Sequence, residues 1–133
     1  MRMRFGSIVL VSAIAAFSCA STAARIVEGA RRQLIKPARY DASYRRIPYP
    51  NGDVPVDSGA CTDVVVRTFR HAGYDLQRLV HEDAAKHPSG YPRIDRLDPS
   101  IDHRRVPNLR VFLKRHGRSM PLNQDWEPGD IVS

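Results

Sequence analysis

The chain has 133 residues, of which 42% are hydrophobic, with 21 Lys+Arg against 14 Asp+Glu, a formal charge of +7 and two cysteines. That length holds one domain at most, near the lower end of what a single hydrophobic core supports. The basic residues are scattered and not gathered in blocks, so the charge fits an Arg-rich surface and argues against a nucleic-acid footprint.

At the start of the chain, Arg2 and Arg4 precede an apolar run from Gly6 to Phe17 that is too short to span a bilayer. This is the pattern of a signal peptide. Thr22 and Ala24 stand where a signal peptidase reads small residues, so cleavage is expected after Ala24, leaving a leader of 1–24 and a domain of 25–133. Lipoprotein processing at Cys19 is the alternative, disfavoured by Phe17 two positions before it. No later stretch reads as a transmembrane helix, and the product is expected in the periplasm or outside the cell. Loss of Arg2 and Arg4 lowers Lys+Arg from 21 to 19 against 14 Asp+Glu, leaving about five net positive charges. In an exported protein that charge points to anionic envelope polymers as partners.

Ile26, Val27, Ala30 and Leu34 recur at helical spacing and predict a first helix over 25–35, ended by Pro37. From Tyr40 to Asp57 three prolines, Asn51-Gly52 and three tyrosines predict an extended, turn-rich path. A second helix is expected from Asp57 or Ser58 as cap, with Cys61, Thr62 and Asp63 in its first turn and Val64, Val65, Phe69 and Ala72 as its buried stripe. Gly73 stops it. Asp75 caps a third helix with Leu76, Leu79, Val80 and Ala84 on one face, ending before Pro88. Residues 89–107 read as a long irregular connection. A last helix, capped by Asn108 and apolar at Leu109, Phe112 and Leu113, stops at Gly117. Ile131-Val132 then reads as the start of a strand, with no partner downstream.

Without the leader, Cys61 is the only cysteine, which excludes an internal disulfide and leaves a reactive thiol or a buried bystander. A helix start favours a thiolate through unpaired amides and the helix dipole. Gly59 and Ala60 keep the approach open, and the Cys61 amide could serve an oxyanion hole. A nucleophilic thiol needs a base. His71 is ten residues along the same helix, roughly 15 Å away at 1.5 Å rise per residue, and is excluded. His81, in His81-Glu82-Asp83, and His103, in Asp102-His103-Arg104-Arg105, are the candidates able to fold back over Cys61. Each also reads as a structural histidine. Asp63 could orient a base, or could simply meet the dipole of its own helix. One cysteine with scattered histidines lacks the close ligand pairs of a zinc site, so no metal and no cofactor is expected.

Five blocks in order, Gly59-Ala60-Cys61-Thr62-Asp63-Val64-Val65, Gly73-Tyr74-Asp75-Leu76-Gln77, Leu79-Val80-His81-Glu82-Asp83, Ile101 to Leu109 and Pro128-Gly129-Asp130-Ile131-Val132, resemble a bacterial exported family of unassigned function. That family is placed with the NlpC-like cell-wall cysteine peptidases of the papain-like superfamily. The resemblance implies an α+β papain-like fold with Cys61 as nucleophile and amide bonds of peptidoglycan as substrate. It also implies that the histidine base lies in a strand after Pro128–Val132, beyond Ser133. This chain is therefore expected to be mostly helix and irregular loop, truncated before most of its antiparallel sheet, and inactive by itself. The competing expectation is a non-catalytic periplasmic module that binds anionic envelope polymers, with Cys61 structural.

Overall fold

A computed structural model describes residues 2–4 and 20–132. The apolar run of the expected leader and Cys19 lie outside the described residues. Among the described residues the architecture is α+β, with four helices, two short 3-10 turns and two small sheets. No helix among the described residues is long and apolar enough to cross a membrane.

Helix α1 (Thr22–Ile35) begins at Ser21, whose hydroxyl accepts from the Ala24 amide at 3.1 Å, satisfying one of the unpaired donors of a first turn. It packs mainly on α2 (Cys61–His71). The approach is close because Gly29 lies at the crossing: a Cβ there would stand 2.8 Å from the Thr68 carbonyl oxygen and 2.9 Å from the His71 Cβ. Gln33 ties the pair, its amide donating to the Val64 carbonyl and to the Thr68 hydroxyl, each at 3.0 Å. The expected apolar stripe of α1 is corrected by this crossing. Ile26 and Gly29 are buried, while Ala30 and Leu34 face solvent, because the helix meets its neighbour near its middle and projects past it.

Helix α2 starts at Cys61, with Ala60 as its N-cap in place of the expected Asp57 or Ser58. The cap works in reverse: the Asp63 carboxylate reaches back and accepts from the Ala60 amide at 2.6 Å. Its buried face is Thr62, Asp63, Val66 and Phe69, with Ala72 just past the end, so the expected Val64 is exposed and Val66 takes its place. Starting the helix at Cys61 sets its phase against α1 and the Asp102–Arg104 turn, and Val64 falls on the outward side.

Helix α3 (Leu76–Lys86) begins where the sequence places it, with the Asp75 carboxylate accepting from the Gln77 amide at 3.1 Å. Leu76, Val80 and Ala84 are buried, with Leu79 half-buried beside them. Its start also anchors the turn-rich segment. The Asn51 amide donates to Asp75, and the buried Gln77 accepts from Gly52 while donating to the Pro48 and Pro99 carbonyls. Two otherwise unpaired loops are thereby satisfied by one side chain. Gly52 is required here, since a Cβ would fall 2.0 Å from the Pro48 oxygen.

The expected irregular connection contains 3-10 turns at Pro88–Gly90 and Asp102–Arg104. Helix α4 (Val106–His116) begins two residues before the expected cap, with Pro107 in its first turn. Asn108 is instead buried and donates to the Asp102 carbonyl at 2.9 Å. Leu109, Phe112 and Leu113 complete the core with Phe69, Val80 and Tyr91, each fully buried aliphatic or aromatic side chain contributing about 1.5–3 kcal/mol.

In one sheet β1 (Arg2–Arg4) lies antiparallel between β4 (Arg118–Met120) and β5 (Ile131–Val132). The Ile131-Val132 strand therefore pairs upstream, with Met3 and Arg2. Arg2 is buried, forms an ion pair with Asp130, donates to the Gln124 and Asp125 carbonyls and lies over the Trp126 ring. In the other sheet β2 (Arg39–Tyr40) runs parallel to β3 (Ser58–Gly59), which leads directly into Cys61.

Candidate functional site

The loop before Cys61 is held from two sides. Arg67, one turn and a half along α2, forms an ion pair with Asp53 at 2.9 Å and donates to the carbonyls of Val54, Pro55 and Ser58. The β2–β3 pairing fixes the other side through Arg39 and Tyr40. Gly59 is needed for close approach: a Cβ would stand 3.0 Å from the Asp63 carboxylate oxygen.

Below the helix start, Asp63 is 2% exposed and engaged three ways. Besides capping Ala60 it pairs with Arg104 through two hydrogen bonds, at 2.8 Å and 3.0 Å. The Thr62 hydroxyl donates to the Arg104 carbonyl at 2.8 Å. The Asp102–Arg104 turn is thus bolted under the first turn of α2. Arg104 is the residue that sequence reasoning missed. It lay inside a recognised block, but nothing in the local spacing links it to a carboxylate 41 positions away.

Cys61 itself is exposed. It lies on the border of two concavities. The larger, about 470 Å³, is bounded by α1, the β2–β3 strip and α2, with Leu34, Tyr40, Val56 and Val64 among its walls. The smaller, about 200 Å³, runs between α2, α4 and β5 and is walled by Val65, Leu109, Leu113 and Ile131. The Asp63 amide donates to the Ala60 carbonyl at 3.0 Å, while helix geometry leaves the Cys61 and Thr62 amides without intrahelical partners, so the thiol stands beside hydrogen-bond donors.

The expected partners sit elsewhere. His103 is 2% exposed, inside the Asp102–Arg104 turn, with its Nδ1 unpaired. Burial lowers its pKa from 6.5 to about 4, against the opposing pull of Asp63, so it is neutral near pH 7. His81 lies on α3, half-buried, edge-on to the Tyr49 ring at 5.2 Å, with its Nδ1 also unpaired. Neither histidine lines either concavity next to Cys61, and no histidine among the described residues does. Asp102, in the same turn, has its pKa raised by burial. A second carboxylate, Asp83, gathers the Tyr91 hydroxyl at 2.5 Å, Arg115 at 2.9 Å and His116 at 3.1 Å. Burial opposes its charge, but these hydrogen bonds prevail and hold its pKa below the usual range. That group closes α3 against α4 and stands apart from the thiol.

A family model described as a domain of unknown function, DUF1287, matches residues 27–133. The chain belongs to the DUF1287 family. It is 46% identical over 120 residues to a protein of Escherichia coli (strain K12) described as "Uncharacterized protein YijF", an alignment covering 86% of this chain and 58% of the relative. This DUF1287 chain thus spans less than two thirds of that relative's length. No solved structure matches it.

Proposed function

We propose that this DUF1287 chain is the N-terminal portion of an exported cysteine hydrolase that acts on amide bonds of peptidoglycan, with Cys61 as nucleophile. The observation that carries the reading is an exposed thiol at the first residue of α2, bordering two apolar concavities. The resemblance of its sequence blocks to an exported family placed with the NlpC-like peptidases supports the same reading. In this reading the Cys61 Sγ attacks the amide carbonyl, and the thiol proton passes to a histidine base and then to the leaving amine. Water afterwards hydrolyses the thioester and frees the thiol. The Cys61 amide, at the first position of α2, contributes to holding the oxyanion. Asp63 and Arg104 are positioning residues: both are consumed in fixing the helix start, which keeps Asp63 from orienting a base. The base is assigned to a histidine outside residues 1–133, because the described ones do not face the thiol.

Iodoacetamide labelling tests the nucleophile: Cys61 is expected to react faster than N-acetylcysteine amide at pH 7, while this chain alone releases no new amines from purified peptidoglycan. An unreactive thiol would remove the hydrolase reading. Robust Cys61-dependent cleavage by this chain would instead place the base among its own histidines.

A second reading is a module that binds anionic envelope polymers, favoured by exposed Tyr40, Tyr44 and Tyr49 among basic residues. Cys61→Ser separates the two, since it leaves pull-down by peptidoglycan or teichoic polymers untouched under this reading.

A further inference from the structure

The larger concavity beside Cys61 has an uneven charge. Three cations line it, Arg32, Lys36 and Arg67, and no carboxylate does. Two of the cations are already neutralised, Arg32 by Glu28 and Arg67 by Asp53, each at 2.9 Å. Lys36 forms no ion pair among the described residues. It is exposed, stands at the C-terminal cap of α1 and lines the concavity together with Leu34, Tyr40 and Val56. These three large side chains are 78%, 74% and 67% exposed, a cluster that a soluble surface would ordinarily cover.

We propose that this concavity takes a short peptide with an aliphatic body and a free carboxylate beside the bond offered to Cys61, and that Lys36 selects the carboxylate. The inference rests on Cys61 being the nucleophile and adds the chemical class of what it meets. Charge complementarity carries it: a carboxylate is the group that an unpaired ammonium and a carboxylate-free wall accept, while the exposed aliphatic and aromatic surface accepts the rest of the peptide. The bland role for Lys36 is to offset the dipole at the end of α1. That role predicts no effect on chemistry at Cys61.

Two alkylating reagents of nearly equal size, anionic iodoacetate and neutral iodoacetamide, distinguish these roles. At low ionic strength the rate ratio of iodoacetate to iodoacetamide at Cys61 is expected to fall about two- to fivefold in Lys36→Gln. Lys36→Arg keeps the ratio, Arg32→Gln shifts it less, and salt at about 0.5 M erases the difference. In the same assay N-succinyl-Ala-Ala-amide is expected to protect Cys61 from iodoacetamide at lower concentration than N-butanoyl-Ala-Ala-amide, and only while Lys36 is present. An unchanged ratio in Lys36→Gln, or equal protection by the two peptides, overturns the assignment of Lys36 and leaves the nucleophile standing. A thiol inert to both reagents overturns the nucleophile, and this inference with it.

Discussion

The two sides of Cys61 are built in opposite ways. Beneath it, the joint between α2 and the Asp102–Arg104 turn is closed: Asp63 and Arg104 are both nearly inaccessible, doubly hydrogen-bonded, and braced by Thr62. Beside it, the wall from α1 and the β2–β3 strip is open, with Leu34, Tyr40 and Val56 in solvent. The contrast teaches that the position of the thiol is set from below, by paired and buried polar groups, while the open wall beside it contributes little to the fold.

The sharpest way to break that contrast is to remove one half of the closed joint. Arg104→Met leaves the Asp63 carboxylate buried and unpaired and is expected to cost about 3–5 kcal/mol, read as a lowered urea midpoint. A loss below about 1 kcal/mol would mean that the joint is open to water. His103 probes the same region through pH. Its pKa is 6.5 in the unfolded chain and about 4 when folded, so the unfolded state binds more protons between those values. The contribution of His103 to stability is therefore intact above about pH 6.5 and is lost as pH falls toward 4, by up to about 3 kcal/mol. His103→Gln should flatten that part of the stability-versus-pH curve, and an identical slope in the variant would show that His103 titrates in water. The smallest effect belongs to the open wall: Leu34→Ser is expected to change stability by no more than about 0.5 kcal/mol. A loss of about 2 kcal/mol or more would show that Leu34 is covered in solution.

Much of the helical framework was legible. Asp75 and Gly73 announce the gap between α2 and α3, and Pro88 and Gly117 mark the ends of α3 and α4, because caps, glycine stops and proline are local chemistry. Cys61 was expected within the first turn of α2, and the helix starts at that residue. The cap was misplaced because Asp63 caps backwards, from inside the helix, a geometry that a forward search for a capping side chain passes over. Ala30, Leu34 and Val64 were assigned to buried faces because periodicity reports that a helix has an apolar side, not how far along its length a neighbour covers it.

From the order of residues alone came a thiol in the first turn of a helix, the number and approximate limits of the helices, and the turn-rich path between them; that the thiol is exposed came from the structure. Only the tertiary structure decided that Arg104 meets Asp63, that Gln77 satisfies two distant loops, that neither His81 nor His103 lines the concavities beside Cys61, and that Lys36 lines the larger one without an ion pair among the described residues. The reason is range. Capping, helical periodicity and backbone preference act within a few residues and leave their mark in the sequence, whereas ion pairs and cavities join residues tens of positions apart and exist only once the chain has closed on itself.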